Sequence, residues 1–585
     1  MKEFIRYTLA TLCGLLIAGT LCLIIGIASI AGILTADSIK KEIEPHSILR
    51  ITLDGELKET CAASPLTELM GNTIKQTSLN ELLQAIAYAK ECKDIDGIYI
   101  EAKTLYGVPP AMAQELRQEL VRFKESGKFV VAYGDTYTQT SYYICSMADR
   151  LILNPQGQIN WCGLSAQPIF YKDLLEKVGV RMQVFKVGQY KSAVEPYTST
   201  AMSEPNRLQV SAYLNDIWKT MLDEVSASRH ISTDSLNAIA DRLALFAPAT
   251  EMVASGMADT LCYIDGVSHT LKELTGKDEK PLRLVATKDL ADREKDKDGE
   301  CIKVYYAHGD IVDRNMGWDD DVIDAEQMCK DLKELREDEK VKAVVIRINS
   351  GGGSAYASEQ LWHEVKLLDD KKPVVVSMGG MAASGAYYLS CGARALLAEP
   401  TTLTGSIGIF GMIPDASTLL KDKLGLHFDV VKTNRHADYE TMARPFDAEE
   451  GKVMQAYVER GYDTFLSRVA EGRKMTTAQV HELAQGRVWT GRQAMANGLV
   501  DSLGNTQAAI AKAAALAQLD KYHVEYAPSP AAWYENLVNE KRSSYIESAM
   551  QEVCGTPFML LKSLEQAKRI TGIQARMPYA LHMGQ

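Results

Sequence analysis

Ser384 sits in the run Met381-Ala-Ala-Ser-Gly-Ala-Tyr-Tyr388, where alanine and glycine on either side let another group reach its hydroxyl. The unpaired N–H groups of a starting helix favour negative charge at such a place. A serine becomes a nucleophile only when a base and oxyanion donors accompany it. The loop Asn349-Ser-Gly-Gly-Gly-Ser354 offers the donors, because tandem glycines after a strand let backbone N–H groups turn outward. No Gly-Lys-Ser/Thr follows, which excludes a phosphate loop of the Walker type, and three glycines exceed what a tight turn needs. Lys191, in Tyr190-Lys-Ser-Ala-Val-Glu-Pro196, is the candidate base. A free lysine has a pKa of ~10.4, so its neutral form costs about 4–5 kcal/mol at pH 7. Its site must therefore desolvate it. Tyr190, Ala193, Val194 and Pro196 are suitably apolar, whereas Glu195, if turned inward, would act the other way.

The elements that must position these groups follow from the apolar pattern. Val374–Ser377 reads as a short strand that runs through glycines into a helix beginning near Ala382, with Ser384 in its first turn. Val341–Ile348 is a second apolar strand, and Ala357–Leu368 an amphipathic helix. Near-continuous apolar strands alternating with helices predict an α/β fold with a buried parallel sheet and helical crossovers. Longer helices are expected over Glu204–Ser228 and Ala448–Glu471, and strands over Ser47–Gly55 and Ile302–Ile311.

The chain also repeats itself. Val130–Tyr143 lies over Val375–Tyr388, Asn154-Pro155 over Glu399-Pro400, Gly163 over Gly408, and Leu174–Lys186 over Leu420–Lys432. So steady a register means two copies of one domain. The copies differ where chemistry is expected. Gln139 faces Ser384, and Lys103–Val108 faces the glycine loop. Lys191 faces Ala437, while Lys186 has a lysine partner in Lys432 and reads as structural. One copy holds the serine and the other the lysine, so the site is expected to be divided between them.

With 585 residues, the chain has room for about three to four domain-sized units. A net charge of −12 argues against a nucleic-acid partner. The eleven cysteines contain no Cys-x-x-Cys and the ten histidines no His-Glu-x-x-His, so neither a metal nor a cofactor is expected. Tyr7–Thr35 carries no charge and exceeds the ~20 residues that span a bilayer. Lys2 and Arg6 precede it, which keeps residues 1–6 cytoplasmic and places the rest beyond the membrane. The expected order is a transmembrane anchor over 7–35, a first repeat domain over 46–286 and a charged linker over 287–300. A second repeat domain over 301–526 and a helical tail over 527–585 complete it.

Taken together, the Asn-Ser-x-Gly-Gly-Ser loop, Met-Ala-Ala-Ser-Gly-Ala-Tyr-Tyr, Thr404-Gly-Ser-Ile-Gly408 and Tyr190–Pro196 resemble the signal peptide peptidase A (protease IV) family in its long tandem form. The resemblance covers nearly the whole chain. It implies two ClpP/crotonase-like domains and a Ser–Lys dyad shared between them. It further implies a homotetramer, held by its anchor in the bacterial inner membrane, that cuts remnant signal peptides on the outer, periplasmic side. Carried over, Ser384 is the nucleophile, Lys191 the general base and Ser406 the hydroxyl that orients the lysine; Trp161 stands at the Ser406 position of the first copy. Gly352 and Gly353, with Gly385, are the oxyanion donors. Gly351 replaces the family's usual proline and loosens the loop. Two other readings are a crotonase-like acyl-CoA enzyme and a non-catalytic membrane scaffold. The first lacks the acidic pair its chemistry needs; the second does not explain why the second copy keeps every required group.

Overall fold

The computed structural model describes residues 42–61, 75–276, 281–291, 293, 298–315, 321–528 and 572–577, with scattered positions between 4 and 21. The expected anchor over 7–35 lies mostly outside the described residues, and among those described no helix is long and apolar enough to cross a membrane.

Both repeats form the expected parallel sheets. In the first, strands Ser47–Lys58, Ile95–Tyr106, Phe129–Tyr137, Arg150–Ile159 and Thr260–Leu261 lie side by side, with Arg283–Ala286 flanking Ser47–Lys58. The second repeats this order with Glu300–His308, Val341–Ser350, Val374–Ala383, Ala395–Ala398 and Ser502–Leu503, and with Tyr522–Ala527 flanking Glu300–His308. Both faces of the central strands are covered. Val344, Val345, Ile346, Val374, Val375 and Val376 are fully buried, each worth ~1.5–3 kcal/mol of transfer free energy.

A third, smaller sheet joins the repeats. Arg181–Lys186 of the first copy pairs antiparallel with Phe410–Asp415 of the second, with Val184 opposite Met412. The domains are also held by a buried ion cluster. Arg347, on strand Val341–Ser350, donates from Nε and Nη2 to Glu59 at 3.0 and 3.1 Å and from Nη2 to Glu115 at 2.6 Å. The Glu115 carboxylate also accepts the Thr506 amide at 2.9 Å and hydroxyl at 2.7 Å. Both acids belong to the first copy; Arg347 and Thr506 belong to the second.

Three expectations need correction. The strand that opens at Val374 runs through the glycines to Ala383, and the helix begins at Gly385, so Ser384 precedes the first turn instead of lying in it. Small residues fit a buried strand as well as a helix start, so composition did not mark the boundary. The linker begins with a helical turn, Thr287–Ala291, whose Leu290 packs into the first core; most of the remainder lies outside the described residues. The tail is not simply helical. Gly572–Arg576 is a strand, while residues 529–571 lie outside the described residues.

Candidate active site

Ser384 caps helix Gly385–Ser390 with φ 58° and ψ −113°, a conformation that is costly for a residue bearing a Cβ. Two main-chain bonds hold it there: its N–H donates to Gly405 O at 2.8 Å, and its carbonyl accepts from Tyr388 N at 2.8 Å. The turn pushes the hydroxyl off the strand towards the first copy. There Lys191 Nζ donates to Ser384 Oγ at 2.7 Å, to Ser406 Oγ at 3.1 Å and to Ser406 O at 3.0 Å. All three side chains are fully buried. Burial alone pushes the Lys191 ammonium well below the ordinary lysine range, since no carboxylate contributes to its shift. Glu195 is turned away, accepting from Ser203 N and Oγ and from Asn206 Nδ2, so it braces Ser203, the N-cap of helix Glu204–Arg229.

The lysine is placed by a loop-on-loop contact that sequence reasoning missed. Tyr190 N donates to Gln485 O at 3.0 Å, and Gly486 N to Ile407 O at 2.8 Å. Gly486 has φ +81°, and a Cβ there would lie 2.6 Å from Lys191 Cα and N. Gln209 spans the same seam, donating to Tyr190 O and Ser192 Oγ and accepting from Val488 N. Nothing in the sequence near Gly486 separates it from an ordinary turn glycine. Gly486→Ala is expected to push the Lys191 loop away and lower peptide turnover by roughly 10²-fold, the scale of an ångström-sized misplacement. A melting temperature close to that of the unchanged chain would locate the loss in the site.

Of the three glycines expected to bind an oxyanion, Gly352 directs its amide at Ser350 Oγ, 3.1 Å away. Gly353 and Gly385 lie close to each other and to the carbonyl of Ala575. A Cβ on Gly385 would lie 3.1 Å from Ala575 O and 3.2 Å from Gly353 N, and one on Gly352 only 2.1 Å from the same Ala575 O. That carbonyl belongs to strand Gly572–Arg576, which lies antiparallel to Gly352–Ser354 on one side and to Phe410–Asp415 on the other. Met577 N extends the ladder to Gly351 O at 2.8 Å. An extended chain segment thus crosses the glycine loop as an inserted strand. Beside it, a cleft of about 640 Å³ between the domains is lined by Met112, Ile169, Tyr197, Met381, Leu403 and Met577.

The equivalent positions of the first copy hold no such chemistry. Gln139 Oε1 accepts from the amides of Cys162 and Gly163, a structural cap. Trp161 is buried against Tyr142 and Trp218 and donates to Leu236 O. Away from the dyad, Cys301, His523 and Glu525 bring potential ligand atoms within 4.8 Å of one another, as do His436, Asp447 and Glu450. Neither group includes a residue of the Lys191 site.

Comparison with known proteins finds one family domain twice along the chain. The description of peptidase family S49 matches twice, over residues 122–278 and 366–520, and that of Clp protease over 313–402. Protease 4 of Salmonella typhi is 39% identical over 467 residues, covering 77% of this chain and 74% of that protein. Protease 4 of Haemophilus influenzae is 34% identical, over 80% and 78% respectively. Serine protease SPPA of Arabidopsis chloroplasts is 31% identical, over 80% and 69%. With both repeats matched and most of each relative covered, the chain belongs to peptidase family S49 and is a tandem-domain serine protease of the protease 4 type.

Proposed function

We propose that this chain is a membrane-anchored endopeptidase that hydrolyses apolar peptides, remnant signal peptides among them, through a Ser384–Lys191 dyad divided between its repeats. The observation that carries the proposal is the 2.7 Å contact between Lys191 Nζ and Ser384 Oγ in a site without water access to either side chain. Neutral Lys191 accepts the Ser384 proton as Oγ attacks the peptide carbonyl. The N–H groups of Gly353 and Gly385 receive the oxyanion. Lys191 then passes its proton to the departing amine, leaving an acyl-enzyme. Water, deprotonated by the same lysine, releases the acid and restores the serine. Ser406 keeps the amine aimed at Ser384 through both steps.

The substrate class follows from how a chain is accepted. The glycine loop already pairs with an extended segment, Gly572–Arg576, and the cleft beside it sets apolar side chains such as Ile169, Met381 and Leu403 next to Glu56, Lys58, Asp310 and Arg576, a lining that suits an extended peptide with apolar side chains. Anchoring through residues 7–35 and assembly as a homotetramer on the outer side of the inner membrane complete the reading, on the resemblance and the apolar N-terminal run. The serine-protease relatives speak against the acyl-CoA and scaffold alternatives. The test is hydrolysis of a synthetic apolar signal-peptide sequence in detergent, with Ser384→Ala as the control. Equal turnover by the two proteins would refute the assignment.

The inserted strand gives a second prediction. Ending the chain after residue 571 is expected to open the groove and raise kcat/KM for a short peptide several-fold. A fall, together with a lower melting temperature, would make Gly572–Arg576 a structural strand and not a competitor for the groove.

A further inference from the structure

The edge of the second sheet brings together a thiol, an imidazole and a carboxylate that the peptidase chemistry does not use. Strands Glu300–His308 and Tyr522–Ala527 run parallel there, with Cys301 opposite His523 and Lys303 opposite Glu525. Side chains on one face of a strand recur at every second residue, so Cys301, His523 and Glu525 share a face. Their ligand atoms lie within 4.8 Å of one another. Cys301 is buried, whereas the His523 and Glu525 side chains are 15% and 36% exposed, which gives an ion its entry and a water its place.

The surroundings orient these atoms as they would be in a metal site. His523 Nδ1 lies 3.1 Å from Gly299 O. A carbonyl only accepts, so Nδ1 carries the proton and, in the neutral ring, Nε2 keeps its lone pair. Nε2 faces Glu525 Oε1 at 3.8 Å. A tetrahedral Zn²⁺ holds such atoms about 3.3–3.6 Å apart, so a shift of a few tenths of an ångström would seat one. The second carboxylate oxygen, Oε2, accepts from Lys303 Nζ at 2.9 Å, which holds Oε1 towards the imidazole. A carbonyl behind the histidine and a donor behind the carboxylate are the outer partners that fix metal ligands. The other such group among the described residues, His436, Asp447 and Glu450, is built differently: both Glu450 oxygens accept from Arg444 at 2.8 Å.

The repeat again supplies a control. In the first copy Ser47 lies opposite Arg283 and Leu49 opposite Val285, in the same parallel pairing. Ser47 corresponds to Cys301, because each precedes the same register shift against the next strand of its sheet. Arg283 and Val285 then correspond to His523 and Glu525. The fold is built in the first copy without the thiol, the imidazole or the carboxylate, so packing alone does not call for them.

We propose that Cys301, His523 and Glu525 bind a Zn²⁺ ion through Sγ, Nε2 and Oε1, with water as the fourth ligand. A thiolate, an imidazole and a carboxylate are the ligand types of zinc, and the two anions offset the charge of the ion. The ion clips the edge strand Tyr522–Ala527 to the sheet, ahead of the chain that returns to the glycine loop as Gly572–Arg576. Its role is structural and independent of the dyad.

The experiment takes the full chain in detergent, without an affinity tag, strips it with a chelator and titrates it with Co²⁺. A single equivalent of Co²⁺ is expected to give a thiolate-to-metal charge-transfer band and the intense visible bands of four-coordinate cobalt, all displaced by Zn²⁺. Cys301→Ser, the residue the first copy carries at this place, should abolish the charge-transfer band. Glu525→Gln should weaken Co²⁺ binding by at least about tenfold. Zn²⁺ should raise the melting temperature of the unchanged chain by several degrees and leave that of Cys301→Ser where it was. An unchanged chain that shows no charge-transfer band overturns the proposal. So does a band that persists in Cys301→Ser, since it would place the ion on another cysteine. The first of these outcomes is read on the unchanged chain, so a variant that fails to fold cannot hide it. Peptide turnover enters none of the readouts, so failure here is distinguishable from failure of the dyad.

Discussion

Ser384→Ala and Lys191→Ala are each expected to reduce peptide turnover to background, a loss of roughly 10⁴–10⁶-fold on the scale of nucleophile and base deletions in serine proteases. The two should cost nearly the same, and the double variant little more, because a nucleophile without its base is not activated. Lys191→Arg should not rescue. A guanidinium stays protonated at any working pH and cannot accept the Ser384 proton. The Lys191→Ala protein should also remain folded, since a buried amine is replaced by a smaller apolar group that leaves no charge behind. The measurement is turnover of an apolar peptide alongside the melting temperature. Retained activity in Lys191→Ala would assign the base elsewhere.

Arg347→Met is expected to destabilise the chain by about 3–5 kcal/mol, the cost of removing one member of a buried ion cluster. It leaves Glu59 and Glu115 facing each other without their cation, at the seam that keeps Lys191 beside Ser384. Burial already pushes the Glu59 carboxyl up with the arginine present. Without Arg347 it rises further, so the folded variant binds protons more tightly than the unfolded chain. Its penalty is then full above the folded pKa and shrinks as pH falls through it. The denaturation midpoint of Arg347→Met should therefore move closer to that of the unchanged chain at pH 5 than at pH 8. Activity should fall with stability, although Arg347 touches neither Lys191 nor Ser384.

Much of this arrangement is legible in the sequence, for identifiable reasons. Apolar runs such as Val374-Val-Val expose the parallel sheets, because strands buried on both faces need no polar alternation. The division of the site between copies is legible because the repeat supplies its own control, Gln139 against Ser384 and Ala437 against Lys191. What stays hidden depends on contacts between distant segments. Arg347, like Lys342, reads as a polar residue interrupting an apolar strand, and only the fold brings Glu59 and Glu115 to it. Gly486 reads as a loop glycine, and its role appears once Lys191 is seen to pass 2.6 Å from where its Cβ would stand. Gly572–Arg576 is too short to show a strand period, and its partners lie far back in the chain.

The central claim is that a neutral, desolvated Lys191 activates Ser384. Its most direct test is the pH dependence of Ser384 labelling by a fluorophosphonate, read by mass spectrometry on the full chain. The nucleophile is competent only when Lys191 is unprotonated, so the rate should rise with pH through the lysine's folded pKa and then level off. Since burial holds that pKa well below the ordinary lysine range, the plateau should be reached well short of pH 10 and vanish in Lys191→Ala. A rate that keeps climbing to pH 10 and above, or labelling that survives in Lys191→Ala, would contradict the account.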